Sequence, residues 1–164
     1  MGHYLSNLRD IEFNLFEVHR IQERLGQPPF TELDEDTMRA ALAEIERLAR
    51  TQWAASFVVA DRTELVLEDG EVVLPDEIKA SLAALRAGGW DRFGLPEELG
   101  GFRVPRAVFW AVQEMLLGAN PTAVFYTSGP LFAGLLNDEG TPEQQRMAAL
   151  MIERGWAGSM VLTE

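Results

Sequence analysis

Few side chains in this sequence are of the types that carry metal or nucleophilic chemistry. There are two histidines, His3 and His19, and no cysteine. Disulfides, thiolate nucleophiles and cysteine-held zinc or iron–sulfur centres are thereby excluded. A transition-metal site would need a carboxylate-heavy ligand set, against the imidazole and thiolate preference of such ions. His3 lies near a terminus expected to fray, and His19 lies beside a helix whose inward face is already filled, so both read as solvated surface groups. The acidic runs Glu32-Leu33-Asp34-Glu35-Asp36 and Glu97-Glu98 have the composition of a paired-carboxylate or metal site. The first precedes a helix and complements its positive end; the second falls in a glycine-rich loop, where turn geometry accounts for it. The glycine-rich phosphate cradles and the serine nucleophile elbow are absent. On residue types alone, no catalytic residue and no metal ligand is assigned.

Ligand-binding character is concentrated in residues 121–136, which carry no charged side chain. One reading is a central helix packed on every side. The other is that its small residues, Ala123, Thr127, Ser128, Gly129 and Ala133, leave room for an apolar ligand. Pattern alone favours the packed helix.

The elements that would position this stretch are mostly helices. Leu8, Ile11, Leu15, Val18 and Leu25 recur at helical spacing, with Asn7 as cap and Gly26 followed by Pro28-Pro29 as stop. A second stripe, Met38, Leu42, Ile45, Leu48 and Ala49, begins after Asp34 and runs on toward Trp53 and Phe57. Residues 65–74 place two β-prone triplets around Asp69-Gly70, a hairpin turn pair. A helix then starts at Pro75 and closes at Gly88-Gly89. Residues 88–104 form a glycine-rich loop whose Trp90, Phe93, Leu95, Leu99 and Phe102 argue against disorder. Pro105 starts another helix, Asn120-Pro121 restarts one that Pro130 must kink or end, and Thr141-Pro142-Glu143-Gln144 opens the last. The expectation is an all-α, bundle-like domain of about six helices over 1–155, with a hairpin-like excursion. Residues 156–164 read as a buried terminal β-strand with nothing to pair.

Composition sets the outer bounds. The 164 residues are 47% hydrophobic and 24% charged, as in ordinary globular domains. Asp and Glu number 26 against 14 Lys and Arg, a net charge of −12. That balance repels phosphate backbones and anionic lipid, so nucleic acid and membrane are poor partners. No basic-then-apolar leader opens the sequence and no apolar run spans a bilayer; a soluble, cytoplasmic protein is expected.

Three stretches together resemble the N-terminal region of the acyl-CoA dehydrogenases. Gly89-Trp90 with Leu95-Pro96-Glu97-Glu98-Leu99-Gly100-Gly101 is similar to that family's Gly-Trp…Pro-Glu-x-x-Gly-Gly loop. Gly140-Thr141-Pro142-Glu143-Gln144-Gln145 resembles the start of its last N-terminal helix. Ser159-Met160-Val161-Leu162-Thr163-Glu164 resembles the Leu-Thr-Glu-Pro segment opening its middle β-domain. Leu8 to Phe13 and the Asp69-Gly70…Pro75 excursion look like its longer-N-terminus branch.

The resemblance implies a flavoenzyme that converts acyl-CoA thioesters to trans-2-enoyl-CoA with FAD. It also implies an electron-transfer flavoprotein or similar acceptor and a homo-oligomer at full length. By the same resemblance Met160, Leu162 and Thr163 match positions beside the flavin ring. Ala123, Val124, Thr127 and Leu131 match the acyl-chain pocket, which turns the uncharged helix from plain core into pocket wall. Residues 156–164 become the first strand of a middle β-domain cut short before its phosphate-binding residues. The family's glutamate base has no counterpart here, and no residue takes its place. The chain alone is therefore expected to be inactive and to bind flavin weakly or not at all. The rival readings are a non-catalytic helical interaction module or split-gene product that assembles with a partner chain, and a small acyl-binding protein.

Overall fold

A computed structural model describes residues 2–161 of the chain. Its framework is helical, as the periodicity predicts, with one small hairpin. Helix α1, Leu8–Glu12, starts where the Asn7 side chain accepts the Asp10 N–H. It does not run smoothly to Leu25. The backbone widens into a π-helical turn at Phe13–Val18, passes a left-handed Arg20 and tightens into a 3₁₀ turn at Ile21–Arg24. Widening rotates later residues about the axis. Phe16 therefore points inward beneath the Arg39 guanidinium, 3.9 Å from the ring centroid, while Val18, expected on the apolar face, is exposed.

Helix α2, Glu35–Leu48, opens with Asp34 accepting the Thr37 N–H at 2.7 Å, and Glu35 and Asp36 occupy its first turn. A second π-helical turn at Ala49–Trp53 carries the buried stripe on to Trp53. After α3, Phe57–Arg62, strands β1, Val66–Glu68, and β2, Glu71–Val73, pair antiparallel. Asp69 and Gly70 both have positive φ, 51° and 84°, as a two-residue hairpin turn requires. Helix α4, Asp76–Ala87, follows Pro75, and the loop after it is held by two 3₁₀ turns and a Phe93–Phe102 backbone bridge.

Helix α5, Arg106–Ala119, leads through Asn120 into the short α6, Pro121–Phe125, then α7, Ser128–Glu139, and α8, Pro142–Arg154. Pro130 ends nothing midway. The chain breaks first, at Tyr126-Thr127, and Pro130 becomes the third residue of α7, where an N–H would have no intrahelical partner. Thr141 and Gln144 form a reciprocal capping box on α8.

Met38, Leu42 and Ile45 of α2, Ile78 and Leu85 of α4, and Val108, Val112 and Met115 of α5 make one core around Trp53. The Trp53 indole N–H donates to the Leu116 carbonyl at 3.0 Å. A smaller cluster, Leu95, Leu99, Ala133, Ala148 and Met151, joins α7 and α8 to the glycine loop. His3 is exposed, as expected, but its end of the chain is fastened rather than frayed: its ring stacks on Phe57 at 4.1 Å and its Nε2 lies 2.8 Å from the Ala119 carbonyl. Residues 156–161 also depart from expectation, forming neither a ladder nor a buried strand. Trp156, Met160 and Val161 are exposed, and the segment lies as an irregular strap against the start of α7. No helix among the described residues is long and apolar enough to cross a membrane.

Candidate functional site: an apolar groove walled by α5, α6 and α7

Helices α6 and α7 turn the usual arrangement inside out. Their buried positions are small, Ala123, Gly129 and Ala133, while Phe125, Leu131 and Leu135 are 76%, 51% and 53% exposed. These large side chains line a groove of about 1150 Å³ together with Phe109 and Trp110 of α5 and the strap through Met160. Burying such side chains against an apolar ligand is worth roughly 1.5–3 kcal/mol each, whereas water gains nothing from them. At one end Arg103 lies 4.0 Å from Asp138, and Arg106 sits over the Phe109 ring at 5.6 Å.

A buried polar chain fixes the α6 wall. Asn120, fully buried at the α5–α6 corner, accepts the Ala123 N–H at 3.1 Å and donates to Ser56 Oγ at 2.8 Å. Ser56 Oγ in turn lies 2.8 Å from Ser81 Oγ, which reaches the Gln52 carbonyl at 2.7 Å. Every member has a partner, so the network orients α6 against the core without an orphaned polar group. Thr127, which lines the groove, donates from its Oγ1 to the Val124 carbonyl at 2.7 Å.

Of the positions expected to bind an acyl chain, Val124, Thr127 and Leu131 line this groove together. Ala123 does not: it is fully buried in the main core, one step round the helix from Val124. Of the positions expected beside a flavin, Met160 lines the same groove, and Leu162 and Thr163 lie outside the described residues. Sequence reasoning missed Phe125, Leu135 and Trp110 as wall residues. Leu131 and Leu135 do stand four apart, but so do Gly129 and Ala133. Both stripes are apolar, and hydropathy does not say which one turns inward.

A mostly helical domain with a largely apolar groove, charged only at Asp91, Arg103, Arg106, Asp138 and Glu139, is thus the class that fold and site define. No family model matches the sequence. Two curated proteins do match it over essentially its whole length. The chain is 47% identical over 166 aligned positions to the broad-specificity linear acyl-CoA dehydrogenase FadE5 of Mycobacterium tuberculosis, covering 100% of this chain and 27% of that protein. It is 27% identical to the 3-methylmercaptopropionyl-CoA dehydrogenase of Ruegeria pomeroyi, covering 98% of this chain and 28% of that protein. The chain is therefore related along its length to acyl-CoA dehydrogenases, oxidoreductases acting on CH–CH groups, and spans about a quarter of the relatives it matches.

Proposed function

We propose that this chain supplies the acyl-binding wall and the first flavin contacts of an acyl-CoA dehydrogenase acting on linear acyl-CoA thioesters. The observation carrying this reading is the inverted α6–α7 face, which leaves Phe125, Leu131 and Leu135 exposed along a groove while its buried positions, Ala123, Gly129 and Ala133, are small. Val124, Thr127 and Leu131 would hold the acyl chain by apolar contact and exclude water from its α and β carbons. Met160, followed in sequence by Leu162 and Thr163, would contact the flavin ring of FAD. The apolar groove and Met160 suit the ring. For the phosphates the groove offers Arg103, 4.0 Å from Asp138, and Arg106, over the Phe109 ring at 5.6 Å. Bound FAD would supply the hydride acceptor for the β-hydrogen. We assign none of the groove carboxylates as the base, so the chain alone is expected to be inactive and to bind FAD weakly or not at all. An electron-transfer flavoprotein as acceptor, a homo-oligomeric assembly and a cytoplasmic location belong to the same proposal.

The test is a chimera in which this chain replaces its aligned stretch in the Mycobacterium tuberculosis enzyme. A yellow protein that oxidises linear acyl-CoA is expected. A folded but colourless and inactive chimera would instead favour a non-catalytic module that uses the exposed groove to assemble with a partner chain.

A further inference from the structure

The strap after α8 is fastened to α7 at three independent points. The Ser128 hydroxyl takes both polar backbone atoms of Gly158, donating to its carbonyl at 2.8 Å and accepting its N–H at 3.2 Å. Gly129 lets the strap approach so closely that a Cβ there would lie 1.8 Å from the Trp156 carbonyl oxygen. At Gly158 a Cβ would lie 2.4 Å from the Phe132 ring. Two residues beyond Gly158, Met160 lines the same groove as Val124, Thr127 and Leu131. These contacts join the helix assigned to the acyl chain to the segment assigned to the flavin, and Ser128 supplies their hydrogen bonds.

We propose that Ser128 is a positioning residue: by gripping Gly158 it fixes where the Met160 segment stands relative to Val124, Thr127 and Leu131. This rests on the function proposed above. A ring placed by Met160 and a chain placed by α7 can react only if the two walls keep their spacing, since a misplacement of about 1 Å can cost roughly a hundredfold in rate. Neither hydroxyl bond lies in the core, so their loss should loosen the strap rather than unfold the domain.

Two measurements separate the role from the reading beneath it. In this chain, Ser128→Ala should speed hydrogen exchange at the Gly158 amide by roughly tenfold, with the amides of Ile45 and Val112 unmoved. Ser128→Thr should restore protection. Gly129→Ala, which keeps the hydroxyl but forces the strap away, should reproduce the alanine effect. Equal exchange in the wild type and Ser128→Ala would overturn the proposal. In the chimera, Ser128→Ala should lower kcat and shift the flavin absorbance band while KM for the acyl-CoA changes little, and threonine should rescue both. Faster strap exchange with kcat and spectrum unchanged would overturn the positioning role and leave the function standing. A colourless wild-type chimera would overturn the function, and the role with it.

Discussion

Helices α2 and α7 are comparable in length and both carry apolar stripes, yet they spend them in opposite directions. Helix α2 turns Met38, Leu42, Ile45 and Leu48 inward and covers its other face with charge. Helix α7 turns Gly129 and Ala133 inward and presents Leu131 and Leu135 to the groove. The difference separates a face built for stability from one left for binding. Side chains that fill a core contribute on folding, whereas those displayed around a groove contribute only when something covers them.

Truncation should break this symmetry most visibly. Ile45→Ala is expected to cost about 2–5 kcal/mol, because it empties a fully enclosed site. Leu135→Ala, on the exposed stripe, should stay within about 0.5 kcal/mol, as surface changes do. Urea unfolding of the two variants side by side checks the pair, and equal losses would mean that α7 is core after all.

Asn120 ties the two regions together, so its removal should fall between those extremes. Asn120→Ala strips the α6 cap and leaves the Ser56 hydroxyl short of a buried donor, costing about 1–3 kcal/mol. If the comparison holds, its effect on acyl-CoA binding by the chimera should exceed that of Ile45→Val, since Asn120 caps α6 and Ile45 is not among the groove-lining residues. Comparable binding in the two variants would dissolve the claimed link between network and wall.

The smallest effect is electrostatic and lies away from the groove. Burial, reinforced by Glu114 and Glu46, pushes the Tyr4 phenol up to about 12. Its folded pKa therefore exceeds the unfolded value near 10, and the neutral phenol is favoured in the fold. The resulting stabilisation is fully present below about pH 10 and is lost as pH rises through about 12. Alkaline unfolding should thus be shallower in Tyr4→Phe, and phenolate absorbance should lose its step near pH 12. A Tyr4 that ionises near 10 would place it in solvent instead.

Much of this was legible beforehand, for local reasons. Asp34, Asn120, Thr141 and Asp69-Gly70 act within a few residues of themselves, so their caps and turn stand where the sequence puts them. The large stripes of α2 and α4 likewise meet in one core, because each has only one apolar face to bury. The motifs shared with acyl-CoA dehydrogenases were readable for the same reason: glycines, prolines and caps at fixed spacing describe backbone paths.

Other features needed the assembled molecule. The π-helical turn at Phe13–Val18 exchanges Phe16 for Val18, and no local residue announces it. His3 is held by Ala119 and Phe57, partners far away in sequence. Ala123 and Val124 are neighbours of similar character, yet one enters the core and the other the groove. In an uncharged helix the period fixes which residues share a face. Which face turns inward depends on the space its neighbours leave, and that was decided only when α5, the Asn120 network and the strap came together around it.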